Sequence, residues 1–503
     1  MSRRIFVQEK CRSCPTNRAK LGSTKHGTPK ESVGKKVIDR DQTISKLGVM
    51  GKTFRPYDMN QQLLLPPDLR HWLHEDHLAL YISDVVESLD LSEIIKTYEE
   101  GDLRGRPPYH PALMVKLLIY GYSIGKMSSR KLERATYDEV AFRVLSCDQH
   151  PDHDSLANFR KRHLKELGGL FVQVLQLCER AGLVKLGHVA IDGTKIKANA
   201  AKKHSLPYER MKETEQELTT EVARLLGEAQ RIDQEEDELY GKGQRGDELP
   251  EELRKRETRL AKIKALKAEL EAEAKAAAEQ RRAQKEKART GTNRVRLPWR
   301  QSWKVSAAGE ILPLPQTKRN LTDPDSRLMK DLVTQSFQQG YNAQIAVDAQ
   351  AQIIVAAKVV QAGNDQQQLV PVLQEVAHNL GRMPEVASAD GGYFSKTALR
   401  HETVREVNLH VRPNQPAPVG DTLPARATVQ QLMWWKLKSC NGRAIYNQRK
   451  AIVEPVFAYI KHIRAFRQFR LRGLAQVEAE WALMCMTHNL LKLFRATKRL
   501  QLA

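Results

Sequence analysis

From Pro66 to Leu186 apolar residues recur at intervals of three and four, the period of helices with one buried face. Leu78, Ile82, Val85, Val86 and Leu89 mark one face, and Leu113, Leu117, Leu118 and Tyr120 mark a broader one after the break at Pro107, Pro108 and Pro111. Ser128 or Ser129 then caps Arg130 to Ala135, Tyr137 to Leu145 follows, and Asp154 or Ser155 caps a helix reading SLANFRKRHLKEL. The polar side of that helix holds Asn158, Arg160, Lys161, Arg162 and His163. A helix-turn-helix that lays this basic helix on DNA fits the pattern, and so does an ordinary bundle with a charged outer face.

At Gly187 the period changes to that of a strand: HVAIDGTKIKANA alternates β-branched with small residues and sets Asp192 near a strand end. Leu218, Val222, Leu225, Ala229 and Ile232 then keep a seam spacing that Leu253, Leu260, Ile263, Leu270, Ala274 and Ala277 nearly repeat, with GKGQRGDELP as the turn between them. An antiparallel helical hairpin over 205–290, inserted into another domain, is expected. Strands return at Tyr341, where NAQIAVDA and AQIIVAAKVV form a hairpin that turns near Asp348 to Gln350. Asn364 or Asp365 caps a helix to about Leu380, the strand PEVASAD ends at Asp390, and EVNLHVRP ends at Pro413. A Pro-rich stretch leads to a final helical region from near Tyr446. The sum is an α/β domain over 187–204 and 291–503 with a mixed sheet, preceded by an all-α domain over 51–186.

Composition adds a partner. Lys and Arg number 82 against 60 acidic residues, a formal charge of +22, which suits a polyanion. The hairpin is almost neutral, with 19 basic and 21 acidic residues from Ser205 to Thr290, so its seam is better explained by pairing of its own helices than by DNA. The excess lies from Asn441 onward, with 12 basic and 3 acidic residues, and in Met1 to Met50, with 12 and 4. The same pattern fits a solvated basic surface. Residues 1–50 hold a single aromatic, Phe6, and are expected to form a basic extension without a core, and translation from Met50 is an alternative start. Cys11 and Cys14 lack a second pair for a zinc site and are read as unpaired thiols. No eighteen-residue apolar run is free of charge, MSRRIFVQEK lacks a signal-like apolar core, and the cysteines are scattered. A chain without a membrane span, in a reducing intracellular setting, is expected.

Asp192-Gly193 and Asp390-Gly391 each close a strand, where ligands of open sheets collect. Glu454 lies on the last helix, seven residues before Lys461 and so on one face with it. Two aspartates and a glutamate form an all-oxygen set able to hold two Mg2+ ions, with Mn2+ as the alternative, for in-line attack on phosphodiesters. Taken singly, each acid has a plainer reading: Asp192 and Asp390 as turn starters before glycine, Glu454 as a surface partner of Lys461 or Lys450. Asp348 and Asp365 are rival acids already accounted for by a hairpin turn and a helix cap.

From about Phe54 onward the chain resembles bacterial insertion-sequence transposases of the DDE type. The resemblance is carried by FRPYDMNQQLLLPPDL, GRPPYHPALMVKLLIYGY, SSRKLERA, GHVAIDGTKIKANA, GYNAQIAVDAQAQIIVAAKVVQAGNDQQQL, ASADGGYFS and the closing Tyr446, Arg449, Glu454, Lys461 signature. It implies a ribonuclease-H-like catalytic domain in which Asp192, Asp390 and Glu454 are catalytic and hold metal, with Tyr446, Arg449 and Lys461 on DNA near the cut. Four residues separate Arg449 from Glu454 where the family leaves three, so Lys450 shares the candidate role. The insertion follows the first strand, whereas familiar relatives carry theirs after the strand corresponding to EVNLHVRP. Also implied are terminal inverted repeats and target DNA as substrates, the basic helix with Arg160 and Arg162 as their reader, a homodimer on DNA, and a bacterial cytoplasmic, nucleoid-associated location. A nuclease that never joins strands, or a DNA-binding protein with a dead site, are the rival functions.

Overall fold

The computed structural model describes residues 68–99, 107–240, 251–290, 302–331, 335–415 and 426–502. Cys11, Cys14, the alternative start at Met50 and the turn GKGQRGDELP lie outside the described residues.

Seven helices open the described chain: α1 Leu78–Ser88, α2 Ser92–Glu99, α3 Pro111–Ser123, α4 Ser129–Asp138, α5 Val140–Leu145, α6 His153–Arg162 and α7 Leu164–Arg180. His77 and His110 cap α1 and α3 through ring nitrogens that accept from Ala79 N and Ala112 N. The cap of α6 is Asp152, which accepts from Ser155 N at 2.6 Å, and not Asp154 or Ser155 as the sequence suggested.

Strand β1 (His188–Lys197) follows, and then β2 (Ser205–Pro207) leads into the hairpin of α8 (Tyr208–Tyr240) and α9 (Glu251–Thr290). Tyr208, Met211, Leu218, Val222, Leu260, Ile263 and Leu270 form a small core of their own, as the seam spacing requires. The hairpin root is tied down by β5 (Lys318–Asn320), which pairs with β2, and by Arg319, which bonds Glu273 of α9. A ribbon of β3 (Trp303–Val305) and β4 (Ile311–Pro313) packs on α9.

The main sheet adds β6 (Arg327–Lys330), β7 (Phe337–Asp348), β8 (Ile354–Val360), β9 (Val386–Ala389) and β10 (Asn408–Val411). Its order is β10-β9-β1-β7, with both β6 and β8 pairing β7. The first three long strands, β1, β7 and β8, are antiparallel, whereas β9 and β10 run parallel to β1. Helix α10 (Leu369–Leu380) joins the antiparallel to the parallel part. Its N-cap is Gln368, with no side-chain cap bond, so neither Asn364 nor Asp365 caps it, contrary to expectation.

The last helices are α11 (Val429–Lys438), α12 (Cys440–Ala458) and α13 (Leu474–Leu502). Helical structure thus begins well before Tyr446, because Thr428 and Gln431 form a capping box that starts α11. Pro455 inside α12 has no N–H to give Ala451 O, and that carbonyl accepts instead from Gln352 Nε2 at 2.9 Å. A π turn, Tyr459–Ile463, follows. Helix α13 packs against α7, α3 and β8, so the amino-terminal helices and the sheet share one continuous hydrophobic core. Among the described residues no helix is long and apolar enough to cross a membrane.

Candidate active site

Parallel pairing of β1 with β9 sets Ile191 opposite Ala389. The next residue along each chain is an aspartate, so Asp192 and Asp390 lie side by side where β9 stops. β1 itself runs on to Lys197, so Asp192 sits in mid-strand, paired with Ile345 of β7, and not near a strand end as the sequence suggested. Gly193 N donates to Asp192 Oδ1 at 2.9 Å and Gly392 N to Asp390 Oδ1 at 2.9 Å, which fixes one oxygen of each. Both carboxyls are half-buried, and burial pushes both upward from the ordinary carboxylate range. For Asp192 the shift reaches about 6, with the charges of Asp390 and Asp365 adding to it and Arg449 opposing it.

Helix α12 supplies the cations. Arg449 is buried, its Nη1 lies 3.4 Å from Asp192 Oδ2, and its guanidinium sits over the Tyr446 ring. Tyr446, Asn447, Arg449 and Lys450 line a cleft of about 740 Å³ with Asp390, Gly391, Gly392, Arg412 and Trp434. Arg449 therefore faces the carboxylates, whereas Lys450 is the exposed cation one residue on. Glu454 lies one turn beyond Lys450 on the same stripe of α12 and is exposed, with no hydrogen bond or ion pair to any described residue. Lys461, in the π turn, is half-buried and donates to Thr194 Oγ1, two residues past Asp192 on β1. The structure brings Asp192, Asp390, Arg449, Tyr446, Lys450 and Lys461 together around the middle of β1, the end of β9 and α12.

Asp365, which sequence reasoning set aside, lies beside the two carboxylates. Asn342 Nδ2 and Gln344 Nε2, neighbours on one face of β7, each donate to its Oδ1 at 2.7 Å. Tyr393, buried beside Asp390, donates its hydroxyl to Gln344 Oε1, so the amide is turned with Nε2 toward Asp365. A Cβ on Gly193 would come within 2.8 Å of Asp365 Oδ1, and one on Gly392 would lie 3.5 Å from Asp365 Oδ2 and 3.1 Å from Asp390 Oδ1. The signal was present in the sequence: Asn342 and Gln344 are polar residues spaced by two within an apolar strand, and buried amides need partners.

Arg160 does not behave as expected. It is buried, and its Nη1 donates to Tyr122 Oη and Met127 O, both at 3.1 Å. A side chain held inside the bundle cannot reach DNA, so the assignment of Arg160 to DNA is corrected, while Arg162 is exposed at the end of α6. Asp348 fits its expected turn, accepting from Gln350 N at 2.8 Å, and it also binds Leu186 N at 2.7 Å ahead of β1.

No three His, Cys, Asp or Glu side chains among the described residues are gathered closely enough to ligate one ion. The donor set nevertheless fits a hard divalent cation: oxygen-only, half-buried, mutually repelling, and cradled by glycines where a Cβ would intrude.

A mixed sheet with one aspartate in mid-strand, a second just past the end of the neighbouring parallel strand and a cationic helix across them is the equipment of a phosphoryl-transfer enzyme. Residues 67–162 match the family model described as Transposase domain (DUF772), and residues 317–490 match that described as Transposase DDE domain. The chain belongs to the insertion-sequence DDE transposases, enzymes that typically bind and cleave DNA and generally depend on a divalent metal. No curated protein and no solved structure matches it.

Proposed function

We propose that the sheet is ribonuclease-H-like and that Asp192, Asp390 and Glu454 are the catalytic carboxylates, holding two Mg2+ ions, or Mn2+ in their place. The reading is carried by the register of β1 with β9, which sets two aspartates side by side where the parallel pairing of these inner strands stops. The antiparallel trio β8-β7-β1 continued by parallel β9 and β10 supports the fold name. Glu454 enters through its place on the stripe of α12 that carries Lys450.

A bound divalent cation would polarise the phosphoryl oxygen and favour hydroxide over water at neutral pH. The chain's own residues prepare the site around it. Arg449 holds the Asp192 carboxylate and offsets its charge, and Gly392 N fixes one oxygen of Asp390. Lys450 and Arg412 place cations along the cleft where a DNA phosphate would lie, and Tyr446 offers a ring over Arg449. Lys461 braces α12 against β1 through Thr194 and neutralises charge near the cut. Double-stranded DNA is the substrate, first the terminal inverted repeats of the element and then the target, with Arg162 among the contacts of the helical region. Paired cutting of two ends calls for a homodimer on DNA.

The test is to incubate the purified protein with magnesium, a labelled fragment bearing the element's ends and a target plasmid. Joined products are expected; cut ends without joining would reduce the activity to that of a nuclease. Glu454→Gln should leave DNA binding nearly intact and slow cleavage on the order of a thousandfold, about 4 kcal/mol of lost transition-state stabilisation. Cutting at near the parent rate would remove Glu454 from the site.

A further inference from the structure

Asp365 is held with more care than a loop residue needs. Two amides from β7 converge on Oδ1 alone, one of them oriented by a buried tyrosine hydroxyl, while no described residue donates to Oδ2. Asn342 and Gln344 are among the most buried polar residues of the sheet. Placing two amides in a strand interior is costly unless they satisfy specific partners. What they achieve is to fix the carboxylate's rotation, so that Oδ2 faces the same point near Gly392 that Asp390 Oδ1 faces. Gly392 leaves open the space on which the two carboxylates look, and Gly193 leaves room for the Gln344 amide that holds Asp365 Oδ1.

We propose that Asp365 supplies a further carboxylate to the divalent-cation site, on the side of Asp390, and that Asn342, Gln344 and Tyr393 are its positioning residues. The inference rests on the reading of Asp192 and Asp390 as metal-holding residues. It gives the cation a donor that is already oriented, whereas Asp192 must first share its carboxylate with Arg449. The plainer alternative is that Asp365 only ties the loop after β8 to β7, alongside the bond from Asn342 Nδ2 to Ala362 O at 3.1 Å.

An asparagine at position 365 separates the two, because its Oδ1 still accepts both amide bonds and only the charge is lost. Mn2+ binding to the full chain, followed through the signal of the free ion, is measured for the parent, Asp192→Asn, Asp365→Asn, Tyr393→Phe and the exposed control Gln366→Ala. Asp365→Asn is expected to weaken Mn2+ binding at least about tenfold, and Tyr393→Phe to weaken it less, as the loss of an orienting partner does. The control should bind as the parent does. Parent-like binding by both Asp365→Asn and Tyr393→Phe, with binding lost in Asp192→Asn, would overturn the role of Asp365 and leave the two-aspartate reading standing. Binding retained in Asp192→Asn, or absent from the parent, would overturn both. Should Asp365→Asn fold poorly, Fe2+ substituted into the parent and triggered to cleave the nearby backbone decides the matter. Cuts are expected beside residues 192, 365 and 390, and none at 365 would overturn the proposal.

Discussion

At the residue scale the two aspartates were legible as a pair, each set before glycine after an apolar run, although either alone could start a turn and β1 in fact continues past Asp192 to Lys197. Their environment was not, since it depends on which strands become neighbours. That environment sets a pH dependence. The Asp192 carboxyl is pushed up from 3.8 to about 6, mainly by burial. Between those values the folded chain keeps a proton that the unfolded chain has lost, so the stability contributed by this group falls as pH rises through the window. A divalent cation requires the ionised form, so its binding expels the proton and strengthens over the same window. The rise in melting temperature produced by Mn2+ should therefore grow from about pH 5 to about pH 7, and Asp192→Asn should flatten that growth. A Mn2+ effect that is constant across this range in the parent would show that Asp192 does not titrate with the cation. Asp365 escaped because an acid a few residues before a helix has an ordinary explanation, and only the finished structure shows that Gln368 occupies the cap.

At the scale of elements, periodicity served best where an element packs on itself. Leu218, Val222, Leu260, Ile263, Leu270 and Ala274 of the expected seam of α8 and α9 are buried, because the two helices satisfy each other locally, whereas α11 was missed because its short apolar face is shared between α12 and β10. The exact run of α12 into Lys461 was also hidden, since a π turn changes the residues per turn without any mark as plain as proline. Separate cores carry an expectation. Removing residues 209–290 and closing the gap with a short flexible linker should leave the sheet folded. Arg319, nearly buried beside Glu273, would lose its partner but gain water at the same time, so the usual penalty for an orphaned buried charge is largely avoided. Thermal unfolding of the shortened chain should keep one cooperative transition, with the melting temperature lowered by a few degrees at most, roughly 1 kcal/mol for a chain of this size. A broad, non-cooperative melt would show that β3, β4 and β5 need α9 to hold the sheet together.

For the whole molecule, the boundary drawn near residue 186 marks a change of period and not a gap in packing. Helix α13, at the far end of the sequence, lies against α3 and α7 as well as β8, and no local pattern can announce a contact spanning more than three hundred residues. Its polar centre is Glu480, wholly buried, which accepts from Tyr122 Oη at 3.0 Å, Arg470 N at 2.9 Å and Leu471 N at 3.1 Å, while Arg160 bonds the same tyrosine. Arg160 was read as a DNA contact because helical periodicity places a long cation on the polar side of α6, and the sequence cannot reveal that another helix carries a buried acid opposite it. The two assignments predict different experiments. Arg160→Ala should strip the charge that offsets Glu480 and destabilise the protein by about 3 to 5 kcal/mol, the range for removing one partner of a buried charged network. Because α6 and α13 belong to one core, the helical region and the sheet should still melt together, as a single transition at lower temperature. Arg162→Ala should melt like the parent and lower the salt slope of DNA binding by roughly one, the mark of a lost phosphate contact. The pattern reversed, with Arg160→Ala as stable as the parent and reduced in salt slope, would return Arg160 to the DNA surface and remove it from the buried network around Glu480.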